Sequence, residues 1–156
     1  MKFRYAVFFI LIALAFASCQ KNTASKIPQI SLQYFGRLDG SDTINKKKDT
    51  CLLRFSITDG DADLGNPQPG PPYDIYLINM SLDSGSTQPI FFPVFDQAIE
   101  NPKTGIQGVC NVYFYPGVQP TIDTKPGSDT VYFKVYIQDR AGHHSDTVTT
   151  RIIHAI

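Results

Sequence analysis

VYFKVYIQ, residues 131–138, alternates without a fault: Val131, Phe133, Val135 and Ile137 against Tyr132, Lys134, Tyr136 and Gln138. Strict period two with branched and aromatic apolar residues means a strand with one buried and one wet face. The same pattern recurs upstream in TCLLRFSIT, residues 50–58, where Cys51, Leu53, Phe55 and Ile57 oppose Arg54, Ser56 and Thr58. Working outward, further strands are expected over Gln29–Arg37, Tyr73–Met80, a broken stretch at 88–95, Gln107–Tyr115 and Asp146–Ile153. In Gln107–Tyr115, Val112 and Phe114 share the face of Cys110. Polar or Pro/Gly-rich loops at 40–48 and 59–72 separate them, and Asp96–Gly105 has room for a single helical turn. No ten-residue segment after Cys19 carries a 3.6-residue apolar stripe. Short strands between turn signals predict an all-β, antiparallel sandwich of about seven strands, with a small barrel as the alternative.

The N-terminus has a different grammar. Lys2 and Arg4 precede an uncharged apolar run of twelve residues, Ala6–Ala17, closed by Ser18 and Cys19. Twelve residues fall short of the roughly 20 needed to span a bilayer as a helix. Positive, then apolar, then small is the order of a secretory signal peptide. The cysteine behind the small residues makes residues 1–18 resemble a bacterial lipoprotein signal, although Phe16 stands where such signals usually have Leu, Val or Ile. That resemblance implies cleavage before Cys19 and its acylation, with lipid chains holding the protein on a bilayer. An ordinary signal peptide with an incidental cysteine is the simpler alternative. Residues 19–27 (CQKNTASKI) then form a lipidated tether, and the sandwich occupies 28–156. Gln20-Lys21-Asn22 lacks the acidic residues that accompany surface display in Bacteroidetes-type lipoproteins, which favours an outer-membrane anchor facing the periplasm.

Composition narrows the function classes. Removing residues 1–18 from 156 leaves 138, one domain's worth of chain with enough length for a core. The chain has 14 basic and 14 acidic residues, and Lys2 and Arg4 go with the signal, so the mature part is slightly acidic. That argues against a nucleic-acid binder, which needs a basic face. Two cysteines remain, Cys51 and Cys110. An envelope compartment permits a disulfide between sheets, and buried free thiols are the alternative.

Two segments, FSITDGDADLG (55–65) and VYIQDRAGHHSDTV (135–148), resemble parts of the immunoglobulin-like and cadherin-like modules of bacterial envelope proteins. In those modules a strand runs into an acidic D-x-D-x-D loop, and a late strand ends in D-[RK]-A-G-N-x-S. Here His143 replaces the Asn of the late motif. Asp59, Asp61 and Asp63, at i, i+2 and i+4, can curl around a hard cation, and Ca²⁺ takes oxygen ligands. An EF-hand is excluded: counted from Asp59, the sixth position is Leu64 rather than Gly and the twelfth is Gly70 rather than Glu. The cadherin-like reading adds Asp139 as a further ligand if both turns share one end of the sandwich. A solvated acidic turn that binds nothing is the alternative.

Ser-Asp-Thr followed by Ile or Val occurs at 41–44, 128–131 and 145–148. Its local meaning is a turn that launches a strand. Asp-Thr-aliphatic also resembles the O-glycosylation acceptor of Bacteroidetes envelope proteins, which would make Thr43, Thr130 and Thr147 the acceptors. Adjacent His143 and His144 read as a surface turn. No G-x-S-x-G elbow, phosphate loop, H-E-x-x-H or C-x-x-C is present, and Glu100 is the sole glutamate. These features predict a non-enzymatic, lipid-anchored envelope module, with Ca²⁺ at the acidic loop and an envelope protein or glycan as partner. The alternative is an accessory glycan-binding lipoprotein of an outer-membrane uptake system. The Pro-rich loop at 64–72 and Tyr132 and Tyr136 are its candidate contact surfaces.

Overall fold

The computed structural model describes residues 25–65, 74–82, 85–92 and 105–156. Ten strands and no helix occur among them: β1 Gln29–Arg37, β2 Thr43–Ile44, β3 Cys51–Asp59, β4 Ile75–Asn79, β5 Ser86–Ile90, β6 Ile106–Phe114, β7 Thr130–Val131, β8 Phe133–Ile137, β9 Val148–Thr149 and β10 Ile153–Ala155. They form three sheets, ordered β1-β3-β6, β2-β10-β7 and β5-β4-β8-β9. All pairings are antiparallel except β10 with β2. The all-β, largely antiparallel architecture expected from the alternation is therefore present. Cys19, all but Gly105 of the helical turn expected over Asp96–Gly105, and most of the Pro-rich loop lie outside the described residues.

Alternation fixes the core. Leu53, Phe55 and Ile57 of β3 point the same way as Phe114 of β6, and Phe133, Val135 and Ile137 of β8 meet them from the other side. Four fully buried rings hold the centre. Phe35 sits edge-on to Phe133 at 5.5 Å and to Phe114 at 6.0 Å, and Phe114 lies 5.2 Å from Phe133. Edge-to-face contacts between rings that also bury their full area stabilise by about 0.5–1.5 kcal/mol beyond the burial itself.

Two expected strands are each divided. Val131 faces Ile153 and Thr130 faces His154, but Lys134 faces Thr149 and Val135 faces Val148. The register slips by one residue between these pairs, as at a β-bulge. At the slip, Thr150 Oγ1 takes the Phe133 N–H at 2.9 Å, and Tyr132 donates its N–H to Ser81 Oγ at 3.0 Å. One long hairpin thus serves two sheets, β7 and β10 in one and β8 and β9 in the other. The two-residue β2 is where the first Ser-Asp-Thr-Ile lies.

Strand polarity sets the two ends of the domain. Gln29 pairs with Thr58, and Ile106 with Asp59, so β1 and β6 both begin where β3 ends. The Asp139–Gly142 turn after β8 joins that end through a bond from the Arg140 N–H to the Asp63 carbonyl (3.1 Å). Since β8 runs toward this end, β7 and its partners β10 and β2 lie at the other.

Candidate metal centre

Asp59 closes β3 on its buried side, in phase with Phe55 and Ile57, and is only 2% exposed. Gly60 then turns the chain, its N–H donating to the Ser25 carbonyl at 2.8 Å. Ala62 follows in the left-handed region at φ 61°, and is itself buried. A non-glycine residue there costs about 1–2 kcal/mol. This path brings Asp59, Asp61 and Asp63 together, with one carboxylate oxygen of each within 4.8 Å of the others. Gly105 (φ 71°) lies against the same turn, where a Cβ would press on the Asp59 carbonyl oxygen and stand 3.0 Å from the Gly60 Cα.

The second oxygens are partly used. Asp59 Oδ2 accepts the Asp63 N–H at 3.0 Å, and Asp63 Oδ2 accepts the Ala141 N–H at 3.1 Å. One oxygen of each, Asp59 Oδ1, Asp61 Oδ1 and Asp63 Oδ1, is buried without a hydrogen-bond partner. A buried, unpaired carboxylate oxygen is costly, and three like charges compound the cost. The electrostatics register it. Burial pushes the Asp59 carboxyl up to about 7, opposed by the Asp63 N–H and reinforced by the charges of Asp61 and Asp63. Burial, then the charges of Asp139 and Asp61, also raises the Asp63 carboxyl. A divalent cation would relieve both the desolvation and the repulsion. The all-oxygen donor set suits Ca²⁺ better than the nitrogen- and sulfur-seeking transition metals.

Asp139 departs from the four-carboxylate expectation. Its buried side chain is occupied by His143, whose N–H donates to Oδ1 (2.7 Å) and whose Nδ1 lies 2.8 Å from Oδ2. Asp139 therefore shapes its own turn and is not one of the three aspartates whose oxygens converge, although its charge reaches Asp63, and that turn braces the acidic loop. Besides the backbone bond to Asp63, Arg140 Nη2 reaches the Ala62 carbonyl at 3.4 Å. Sequence reasoning missed His143 as the partner of Asp139. The signal available was the occupation by His of the motif's Asn position, which also carries a side-chain donor.

The other predicted residues are dispersed. Cys51 and Cys110 are free thiols on neighbouring strands of one sheet, not on facing sheets. Cys110 lies opposite Phe55, four positions from Cys51, which is about 13 Å along a strand and beyond the roughly 7 Å a disulfide spans. Burial pushes them up to about 11 and about 12. Thr43 and Thr147 are exposed and Thr130 half-buried. In two Ser-Asp-Thr copies the serine caps the turn: Ser41 Oγ takes the Thr43 N–H at 3.1 Å and Ser128 Oγ the Thr130 N–H at 3.4 Å. In the third, Ser145 is buried and takes the Ile137 N–H instead. His143 and His144 are both exposed, as a surface turn requires.

Aromatic surfaces differ on the two faces. Tyr76 and Tyr136 stack on each other at 4.7 Å and 6°, and His144 lies 5.4 Å from Tyr136, so these rings cover one another's faces. Tyr113 and Tyr115 are more open, at 40% and 52% exposure, and lie 6.0 Å apart. Tyr115 borders a cleft of about 280 Å³ lined also by Lys46, Asp49, Thr121, Asp123 and Thr124. The cleft adjoins Ile44 of β2, at the end opposite the acidic loop. Comparisons of this chain with protein-family models, with curated proteins and with solved structures gave no match.

Proposed function

We propose that this protein is a lipid-anchored cell-envelope module: a non-enzymatic, immunoglobulin-like β-sandwich on a short tether from Cys19, rigidified by one Ca²⁺ at Asp59, Asp61 and Asp63. The observation that carries the ion is the trio of buried Oδ1 atoms without partners, on three aspartates whose carboxylates converge in a loop braced by the 139–143 turn. Asp59 supplies the most buried ligand, and Asp61 and Asp63 close the site from the partly exposed side. The anchor rests on the Lys2/Arg4, apolar and Ser18-Cys19 succession. The end opposite the acidic loop is then free to meet a partner protein or glycan.

A melt of a soluble chain beginning at Gln20, in chelator and in millimolar Ca²⁺, tests the ion. Binding to the native state adds RT ln(1 + [L]/Kd), about 2.7 kcal/mol at one hundred times Kd. A rise of several degrees, absent in Asp61→Ala/Asp63→Ala, is expected. No rise in the parent reduces the three aspartates to turn residues.

A second reading, a glycan-binding accessory of an outer-membrane uptake system, draws on the exposed Tyr113–Tyr115 pair, of which Tyr115 borders the cleft. Polysaccharide affinity that is lost in Tyr115→Ala would favour it over the protein-partner reading.

A further inference from the structure

Sheet edges carry unpaired N–H and C=O groups, and folded chains blunt them with short strands, proline, bulges or charge. Five of the six edge strands described here follow that rule. β2, β7 and β9 have two residues each. β5 is five residues long and holds Pro89. β1 is bulged between Leu32 and Tyr34, and Arg151 Nε donates to its Phe35 carbonyl at 2.6 Å.

β6 has none of these devices. Its nine residues, IQGVCNVYF, include no proline and no charge, keep an unbroken register with β3, and pair with no other strand among the described residues. Every second residue therefore turns its N–H and C=O away from the sheet. Gln107, Gly108 and Val109 are exposed in succession, Val109 at 55%. Beside the strand runs an apolar groove of about 230 Å³ lined by Ile57, Leu64, Phe92, Ile106 and Cys110. Gly108 borders that groove, and a Cβ there would meet nothing within 4 Å.

The occupant these features fit is the same strand. An uncharged edge neither repels its own image nor selects a partner of opposite charge. Antiparallel pairing over the whole length centres on Cys110, the fifth of the nine residues. It sets Gly108 opposite Val112 of the second copy, where the open side of the glycine leaves room for the branched side chain.

We propose that β6 pairs antiparallel with β6 of a second copy, about a twofold axis at Cys110, joining two three-stranded sheets into one. Both copies use the same surface, so the assembly closes at a dimer. The pairing needs neither the ion nor the lipid.

Opposed residues of an antiparallel pair stand about 4.5–5.5 Å apart at Cα, within the span of a disulfide. Cys110 therefore reports the register. The mature chain in dodecyl maltoside micelles is followed by sedimentation equilibrium over a concentration series. It is then oxidised with diamide, which takes up the two electrons and two protons that disulfide formation releases. The parent should show a monomer–dimer equilibrium. Diamide should link it to a species of twice the chain mass that persists in Cys51→Ala and vanishes in Cys110→Ala. Gly108→Lys puts a charge on the pairing edge at a position whose Cβ is unobstructed, and should sediment as a monomer with the parent's circular dichroism. Val109→Lys, on the exposed face, is the second variant of this kind. A monomer at every concentration overturns the self-pairing and leaves the edge to a strand of another protein. A dimer that both lysine variants leave intact overturns β6 as its surface. A dimer that the lysines break but diamide does not link through Cys110 overturns the register.

Discussion

Asp59→Asn separates the cost of the acidic loop from its use. The Asp59 carboxyl sits at about 7 in the folded protein against an ordinary 3.8. Between those values the folded state holds a proton that the unfolded chain has released, so ion-free stability falls as pH rises from about 4 to 7. Below about 4 both states are protonated and no penalty exists; above about 7 the penalty is complete. At 1.36 kcal/mol per pKa unit its ceiling is about 4 kcal/mol. Asparagine cannot ionise, yet it keeps an oxygen for the Asp63 N–H. In chelator at pH 7.5 the variant should therefore melt above the parent by about 2–4 kcal/mol, roughly 6–15 °C for a domain of this size. At pH 4 the two should nearly coincide. Millimolar Ca²⁺ should raise the parent and barely move the variant, which has lost its most buried ligand. Thermal melts by circular dichroism at both pH values, with and without Ca²⁺, read all of this. A variant less stable than the parent in chelator at pH 7.5 would refute the reasoning, since Asp59 would then be a stabilising carboxylate and not a strained one.

Gly105→Ala places a methyl against the Asp59 carbonyl at a positive φ; urea denaturation should show a loss of more than about 2 kcal/mol, along with a weaker Ca²⁺ response. His143→Ala leaves the buried Asp139 Oδ2 without its ring partner and should cost about 1–3 kcal/mol, whereas His143→Asn, which keeps a side-chain donor, should recover part of that in the same assay. Cys51, buried and unbridged, should react with an aromatic disulfide reagent at pH 8 only as fast as the domain opens, Cys110, which is half-buried, should react faster, and a reductant should leave the melting temperature unchanged.

The three nine-residue strands were legible in the sequence. Gln29–Arg37 matches β1, and β3 and β6 lie within one residue of their expected bounds. The division of VYFKVYIQ at Tyr132 was not legible, because its cause lies on the partner strand, where the extra residue near Thr150 shifts register. Nothing local marks that slip. β2 escaped for a related reason: two residues carry no period, and Ile44 is buried only because β10 lies alongside. At the site, the i, i+2, i+4 spacing was sufficient to bring three aspartates together. The role of Asp139 was not readable, since its turn could serve either the ion or itself until His143 was seen on both of its oxygens. Cys51 and Cys110 show the limit of face assignment, which says which side a residue takes but not which sheet or how far along it.

The placement of β1 bears on how this domain carries load. Its first residue lies at the acidic end, beside the tether, and β10 lies at the other. A pull between a lipid held in the membrane and a partner held at the far end runs along the strands. Such a force shears the β1–β3 ladder, straining its hydrogen bonds together, where a pull across the strands would unzip them one at a time. Rupture under force follows the unfolding barrier rather than equilibrium stability. On the proposed reading, an ion clasped at the foot of β3 would sit where that force enters and would set the resistance of the membrane-side end.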